Sequence, residues 1–112
     1  MPNALLSSIE WHDLPVSGIR IEESGLSLVV TSYNALVDAY DTRILRIRDA
    51  EHVEVRMTGT LTAEDLLSME VATFDYSVAA SGRITGTPEL LPGQAGYWAL
   101  SFTNAHWELV NA

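Results

Sequence analysis

Short runs in which apolar and polar residues alternate, separated by turn-forming residues, recur along most of this 112-residue chain. Alternation with period two sorts side chains onto the two faces of an extended strand, so the chain is committed to half-buried β-strands rather than to long helices. In residues 16–22, Ile19 and Ile21 share one face while Gly18, Arg20 and Glu22 share the other. Glu23-Ser24-Gly25 reads as a hairpin loop in which Gly25 supplies a positive φ, and the returning strand turns Leu26, Leu28 and Val30 inward. These two strands are expected to pair antiparallel. Between Ser32 and Thr42 the alternation fails, and Tyr33, Leu36 and Tyr40 fit either one face of a helical turn or an ordered loop.

Alternation resumes in residues 42–48, with Leu45 and Ile47 on one face and Ile44, Arg46 and Arg48 on the other. Val53, Val55 and Met57 then alternate with Glu54, Arg56 and Thr58, after a turn or bulge at Asp49-Ala50-Glu51-His52. One helix is predicted, near residues 63–70. Thr62 is a good N-cap with Asp65 three residues on, Glu64 and Asp65 suit the positive end of the helix dipole, and Leu66, Leu67 and Met69 make an apolar stripe. Residues 71–78 alternate again, with Ala72, Phe74, Tyr76 and Val78 on the apolar side. Glycines and prolines punctuate residues 81–96, which reads as loop with one short strand around Ile84. Two last runs follow. Trp98, Leu100 and Phe102 lie together in one and Trp107 and Leu109 in the other, with Thr103-Asn104-Ala105 as the turn between them. The fold class expected is mainly β, with α+β as the alternative: a single domain over residues 1–112 whose curved antiparallel sheet forms a sandwich or partial barrel, with one short helix.

Charge narrows the partners. The formal net charge is -9, and every basic residue is an arginine. Residues 43–56 hold Arg43, Arg46, Arg48 and Arg56 against Asp49, Glu51 and Glu54, one net positive charge, so the rest of the chain carries ten net negative charges. Nucleic acid is disfavoured, because phosphates demand Lys and Arg, and an electrostatic partner of the whole molecule is expected to be basic. Without cysteine there are no disulfides, thiolate metal sites or cysteine nucleophiles. No apolar run approaches the roughly 18 residues that span a bilayer, and residues 1–6 lack the basic start of a secretory signal. A soluble cytoplasmic protein is expected, with no membrane association.

Chemistry-bearing groups are few. Trp11-His12-Asp13 sets a histidine beside a carboxylate, as in part of a phosphohydrolase metal site, but His52 and His106 are the only other histidines and no HExxH spacing exists. The plainer reading is a turn leading into the first strand. No lysine is present for a Schiff base or a phosphate-binding loop, and no GxSxG elbow occurs. The carboxylate pairs Glu22-Glu23 and Glu64-Asp65 fit a hairpin tip and a helix start. No catalytic, cofactor-binding or metal-ligating set is assigned. Arg46 and Arg48 project the same way from one strand, either to clamp a carboxylate or phosphate or to pair across strands with Glu54 or Glu22. Phe74, Trp98 and Phe102 fit the core, whereas Tyr40, Tyr97 and Trp107 are candidate surface anchors, because Tyr, Trp and Arg dominate interface hot spots.

From Trp11 to about Val55, the order of Trp11-His12-Asp13, Ile19-Arg20-Ile21, Leu26-Ser27-Leu28-Val29-Val30 and Ile44-Leu45-Arg46-Ile47 resembles a group of small bacterial proteins that includes immunity proteins of polymorphic toxin systems. The resemblance covers under half of the chain. It implies a hairpin continued as a curved antiparallel sheet in a small, acidic, non-enzymatic protein, and it transfers no functional residues. The leading expectation is a non-enzymatic protein-binding domain, an immunity-type inhibitor of a basic partner, with Tyr40, Tyr97, Trp107, Glu22 and Glu23 as its interaction surface. The alternatives are a small-molecule or metal-dependent enzyme with a site near His12 and Asp13, and a homo-oligomer whose interface buries the C-terminal aromatics.

Overall fold

The computed structural model describes residues 6, 9–34, 38–59, 62–92 and 98–111, except the side chains of Asn34, Leu66 and Pro92. Strands β1 (Leu14–Glu22), β2 (Gly25–Asn34), β3 (Ala39–Arg48) and β4 (His52–Met57) precede helix α1 (Ala63–Leu67). Strands β5 (Met69–Val78), β6 (Ile84–Pro92) and β7 (Trp98–Asn111) follow it. The seven strands form one sheet in the order β3-β2-β1-β5-β6-β7-β4, and a further pairing of β3 with β7 closes β1, β2, β3, β7, β6 and β5 into a ring. Every pairing is antiparallel. The ring is flattened into two layers, β1, β2, β3 and the second half of β7 in one, and β5, β6, the first half of β7 and β4 in the other. Extents of 39 × 38 × 20 Å agree with two sheets stacked about 10 Å apart.

The mainly β reading is thus correct, and the first hairpin forms as its alternation dictates. Glu23 and Ser24 join Glu22 to Gly25, Ile21 faces Leu26 and Ile19 faces Leu28. Gly25 is needed for a reason other than a positive φ: a Cβ there would lie 2.2 Å from the Ile47 carbonyl oxygen. Beyond Ser32 neither a helical turn nor a loop begins at once. β2 and β3 continue as partners, Tyr33 opposite Tyr40 and Asn34 opposite Ala39. The reversal, including Leu36, lies outside the described residues.

One further departure, at residues 103–105, and the bulge at Asp49, one of the two forms expected there, have one cause: local insertions that shift the phase of a strand. Residues 103–105 are not a turn: β7 runs through them, because Asn104 at φ 49° adds one residue relative to β6 while the strand stays paired on both sides of it. Opposite, β3 and β4 follow β7 as one interrupted strand, with Arg48 facing His106 and His52 facing Thr103, and Asp49 at φ 53° marks the bulge between them. Arg83 ties the two interruptions together. Its Nε donates to the Asn104 carbonyl at 3.0 Å, its Nη2 to the Asp49 carbonyl at 2.9 Å, and its Nη1 to the His106 Nε2 at 3.1 Å.

The helix is shorter than expected. Thr62 and Asp65 close the capping box, but Met69 already belongs to β5 and Leu67 is 89% exposed, so Leu67 and Met69 do not share one buried helical face. In β5 a bulge between Val71 and Thr73 brings Val71, rather than Ala72, into the core alongside Phe74. β6 is a full strand across Pro88, which faces Phe74 of β5 and is flanked by the β7 pairings of Gly86 and Glu89. Inside, Trp11 meets Phe74 edge-on at 5.0 Å, and Phe74 lies 6.3 Å from Phe102. No polar or charged side chain is buried among the described residues, so the interior holds the fold by apolar burial, about 25 cal/mol per Å².

Candidate binding site

The two layers do not cover each other equally. β1 begins beside β5, with Leu14 opposite Val71 and Pro15 opposite Glu70, and a bulge between Val16 and Gly18 then carries it over to β2. A mouth of about 340 Å³ opens where the layers part, lined by Ser17, Gly18, Ile19, Ile21, Met69 and Trp98. β4 extends its apolar surface: Met57 faces Trp98 and Val55 faces Leu100 on the strands' inner side, yet Met57 is 55% and Val55 42% exposed. Ile21, inward by register, is 43% exposed for the same reason. The Trp98 Nε1 is shielded from solvent with no hydrogen-bond partner among the described residues.

Carboxylates neighbour the lining residues along the chain: Glu22 and Glu23 follow Ile21, Glu70 follows Met69, and Glu64 and Asp65 occupy the helix just before it. The cations nearby are already engaged: Arg20 pairs with Glu22 at 2.9 Å and Arg56 with Glu54 at 3.9 Å.

The expected surface residues are scattered. Glu22 and Glu23 directly follow Ile21 of the mouth, whereas Tyr40 lies near the start of β3, opposite Tyr33 at the far end of β2, 72% exposed, with its ring 5.4 Å from that of Tyr33. The Tyr33 hydroxyl donates to the Asp38 carboxylate, which holds its phenol above the ordinary value. Trp107 is no outward anchor: it faces Ile47 on the inner side and packs, half-buried, against the core. Tyr97 lies outside the described residues. Alternation gives Ile21, Met57 and Trp98 the pattern of core residues, and nothing in the sequence marks them as site residues. Arg46 and Arg48 do pair across strands, but with Glu108 of β7 at 3.5 and 3.7 Å, rather than with Glu54 or Glu22.

His12 and Asp13 dock the chain onto the β5 bulge. The Asp13 amide donates to the Val71 carbonyl at 2.7 Å, the His12 Nδ1 donates to the Ala72 carbonyl at 2.7 Å, and the His12 Nε2 lies 3.3 Å from the Asp13 carboxylate. Asp13 takes φ 62° to make this turn. Among the described residues no three His, Cys, Asp or Glu side chains gather as a metal site, and the contacts made by His12 and Asp13 are those of a docking turn. The bond to Ala72, then the charge of Asp13, raise the His12 imidazole above its ordinary value of 6.5. Folding therefore favours the protonated ring. The resulting stabilisation is complete below the unfolded-state value and is lost as pH rises through the higher folded-state one. In thermal melts between about pH 5 and about pH 8, the native chain should lose stability relative to His12→Ala as pH rises; an unchanging difference would show that the contact does not form.

The chain matches no family model, no curated protein and no solved structure. No helix among the described residues is long and apolar enough to cross a membrane.

A second groove, of about 280 Å³, lies on the β1-β2-β3 layer, lined by Gly18, Ile19, Arg20, Ser27, Val29, Ile44 and Arg46. Its two arginines are the ones already paired with Glu22 and Glu108. The mouth therefore differs from it in combining uncovered apolar side chains with surplus negative charge.

Proposed function

We propose that this chain is a non-enzymatic protein-binding domain that engages a basic partner. The observation that carries the reading is the uncovered apolar surface of Ile21, Val55 and Met57 around the mouth, framed along the chain by Glu22, Glu23 and Glu70. Apolar area left open to water is costly on its own and becomes favourable when a partner covers it, and the acidic frame selects the sign of that partner. An immunity-type inhibitor that blocks a basic toxin is the form of this role implied by the resemblance over residues 11–55.

Steering by exposed carboxylates is screened over about 8 Å at physiological salt. Affinity capture from extracts of the source cell should retain basic proteins at low ionic strength and release most of them as salt is raised to a few hundred millimolar. Recovery that ignores salt, or of acidic proteins only, contradicts the proposal.

A further inference from the structure

Among the described residues, β1 has a strand partner on one side only from Val16 to Glu22, since β5 takes Leu14 and Pro15 and no more. Glu22 and Gly25 close a two-residue hairpin and so form a hydrogen-bonded pair; by alternation, Arg20 and Gly18 bond to β2 while the N–H and C=O groups of Ile19 and Ile21 face the other edge. No strand lies on that edge among the described residues, and it borders the mouth that the same two isoleucines line. Edges of this kind are usually blunted by lysine, proline or inward charge. Here the middle of the edge is Ile19-Arg20-Ile21, and the blunting devices, a bulge and the two glutamates, lie only at its ends.

We infer that the partner is recognised by strand addition: an extended basic segment pairs with the open edge of β1, its apolar side chains entering the mouth and its arginines or lysines meeting the acidic frame. This rests on the reading of the chain as a binder of a basic protein. Alternation in the added strand supplies both contacts. Residues on one side meet Ile19, Ile21, Met57 and Trp98, and those on the other lie beside Glu22 and Glu23. Charge decides against a second copy as occupant, because each copy carries -9 and the two would repel.

The test uses the whole chain and three short synthetic peptides: one alternating valine and arginine, one alternating valine and glutamate, and the valine–arginine peptide N-methylated on alternate amides. Binding is followed by titration at low salt and by amide hydrogen exchange. The valine–arginine peptide should bind, slow exchange at the Ile19 and Ile21 amides at least about tenfold, and lose about tenfold or more in affinity on N-methylation or with Ile21→Arg. Tyr33→Ala, at the far end of β2, should bind as the native chain does. Ile21→Thr replaces Ile21→Arg if circular dichroism shows the latter misfolded, and the N-methylated peptide tests the edge with no substitution in the protein. Binding of the valine–arginine peptide with unaltered exchange at Ile19 and Ile21, and unaffected by N-methylation, overturns strand addition while leaving the basic partner in place. Valine–arginine binding no tighter than valine–glutamate overturns both. Protection of the two amides in the free chain, together with a dimer by light scattering, assigns the edge to a second copy and overturns the inferred occupant.

Discussion

Gly25→Ala is expected to destabilise the protein by about 3 kcal/mol, lowering its melting temperature by roughly 12 °C. The ordinary expectation has the opposite sign, since replacing glycine within a strand removes conformational freedom from the unfolded chain and gains about 0.5–1 kcal/mol. Position 25 reverses it because the new methyl would sit 2.2 Å from the backbone oxygen of Ile47, an atom that cannot move without disturbing β3. The hairpin tip would lift, and with it the hydrogen bond from the Ala50 amide to the Ser24 carbonyl at 2.9 Å. Gly18→Ala is the matched control. There the nearest atom is a methyl of Val29 at 3.3 Å, the tip of a side chain that can yield, so a change within about 0.5 kcal/mol is expected. Equal melting temperatures for the two variants would refute the close approach at Gly25.

Arg83→Ala should cost about 2 kcal/mol, or roughly 8 °C. Three charge-assisted bonds are lost, but the sites are partly wet and water replaces some of them, which holds the figure well below the sum of three buried interactions. Lysine should not restore the stability. The guanidinium reaches the Asn104 carbonyl, the Asp49 carbonyl and the His106 Nε2 from three separate nitrogens, whereas an ammonium carries all of its N–H groups on one compact nitrogen. The loss should be regional: amide exchange should accelerate first in β4, whose one strand partner among the described residues is β7, beyond the bulge that Arg83 supports. A uniform rise in exchange would contradict that placement.

How much of the fold was legible depends on phase. Where alternation runs unbroken, as in Leu26-Ser27-Leu28-Val29-Val30 or Leu45-Arg46-Ile47, inward and outward residues follow from the sequence alone, and burial agrees: Leu28, Val30 and Leu45 are wholly inaccessible. A bulge resets the phase without a composition of its own. Ala72 is an ordinary small residue, so nothing near it says that Val71 and Phe74 share a face. Asn104 does carry a signal, tolerance of positive φ, but that tolerance serves a reversal and a kink equally well. The distinction lies in β6 on one side and β3 and β4 on the other, strands remote in sequence. Pro88 misled in a similar way, since proline argues against an interior strand unless neighbouring registers accommodate it.

The mouth was half legible. Its charges could be placed because Glu22 and Glu23 flank a hairpin tip that the alternation locates. Its apolar floor could not, because Ile21 and Met57 carry the same pattern as buried core residues. Their exposure is decided by where the opposite layer ends, a property of packing that one strand does not encode. Conversely, Trp107 looked like an anchor because large aromatics favour interfaces, and its inward side of β7 follows only from pairing with Ile47.

β7 has one more consequence, for the order in which the molecule is assembled. The hairpins β1–β2, β2–β3 and β5–β6 each pair neighbours in the chain, and each can form as soon as its own residues are available. Neither layer is finished by them, because β7 supplies the strand that both lack, and its contacts reach from Trp98 back to Met57 and from Asn111 back to Arg43. Closing loops of that length makes ring closure the slow step of folding. During synthesis, the earlier hairpins must wait with their apolar faces open until the last strand emerges to cover them.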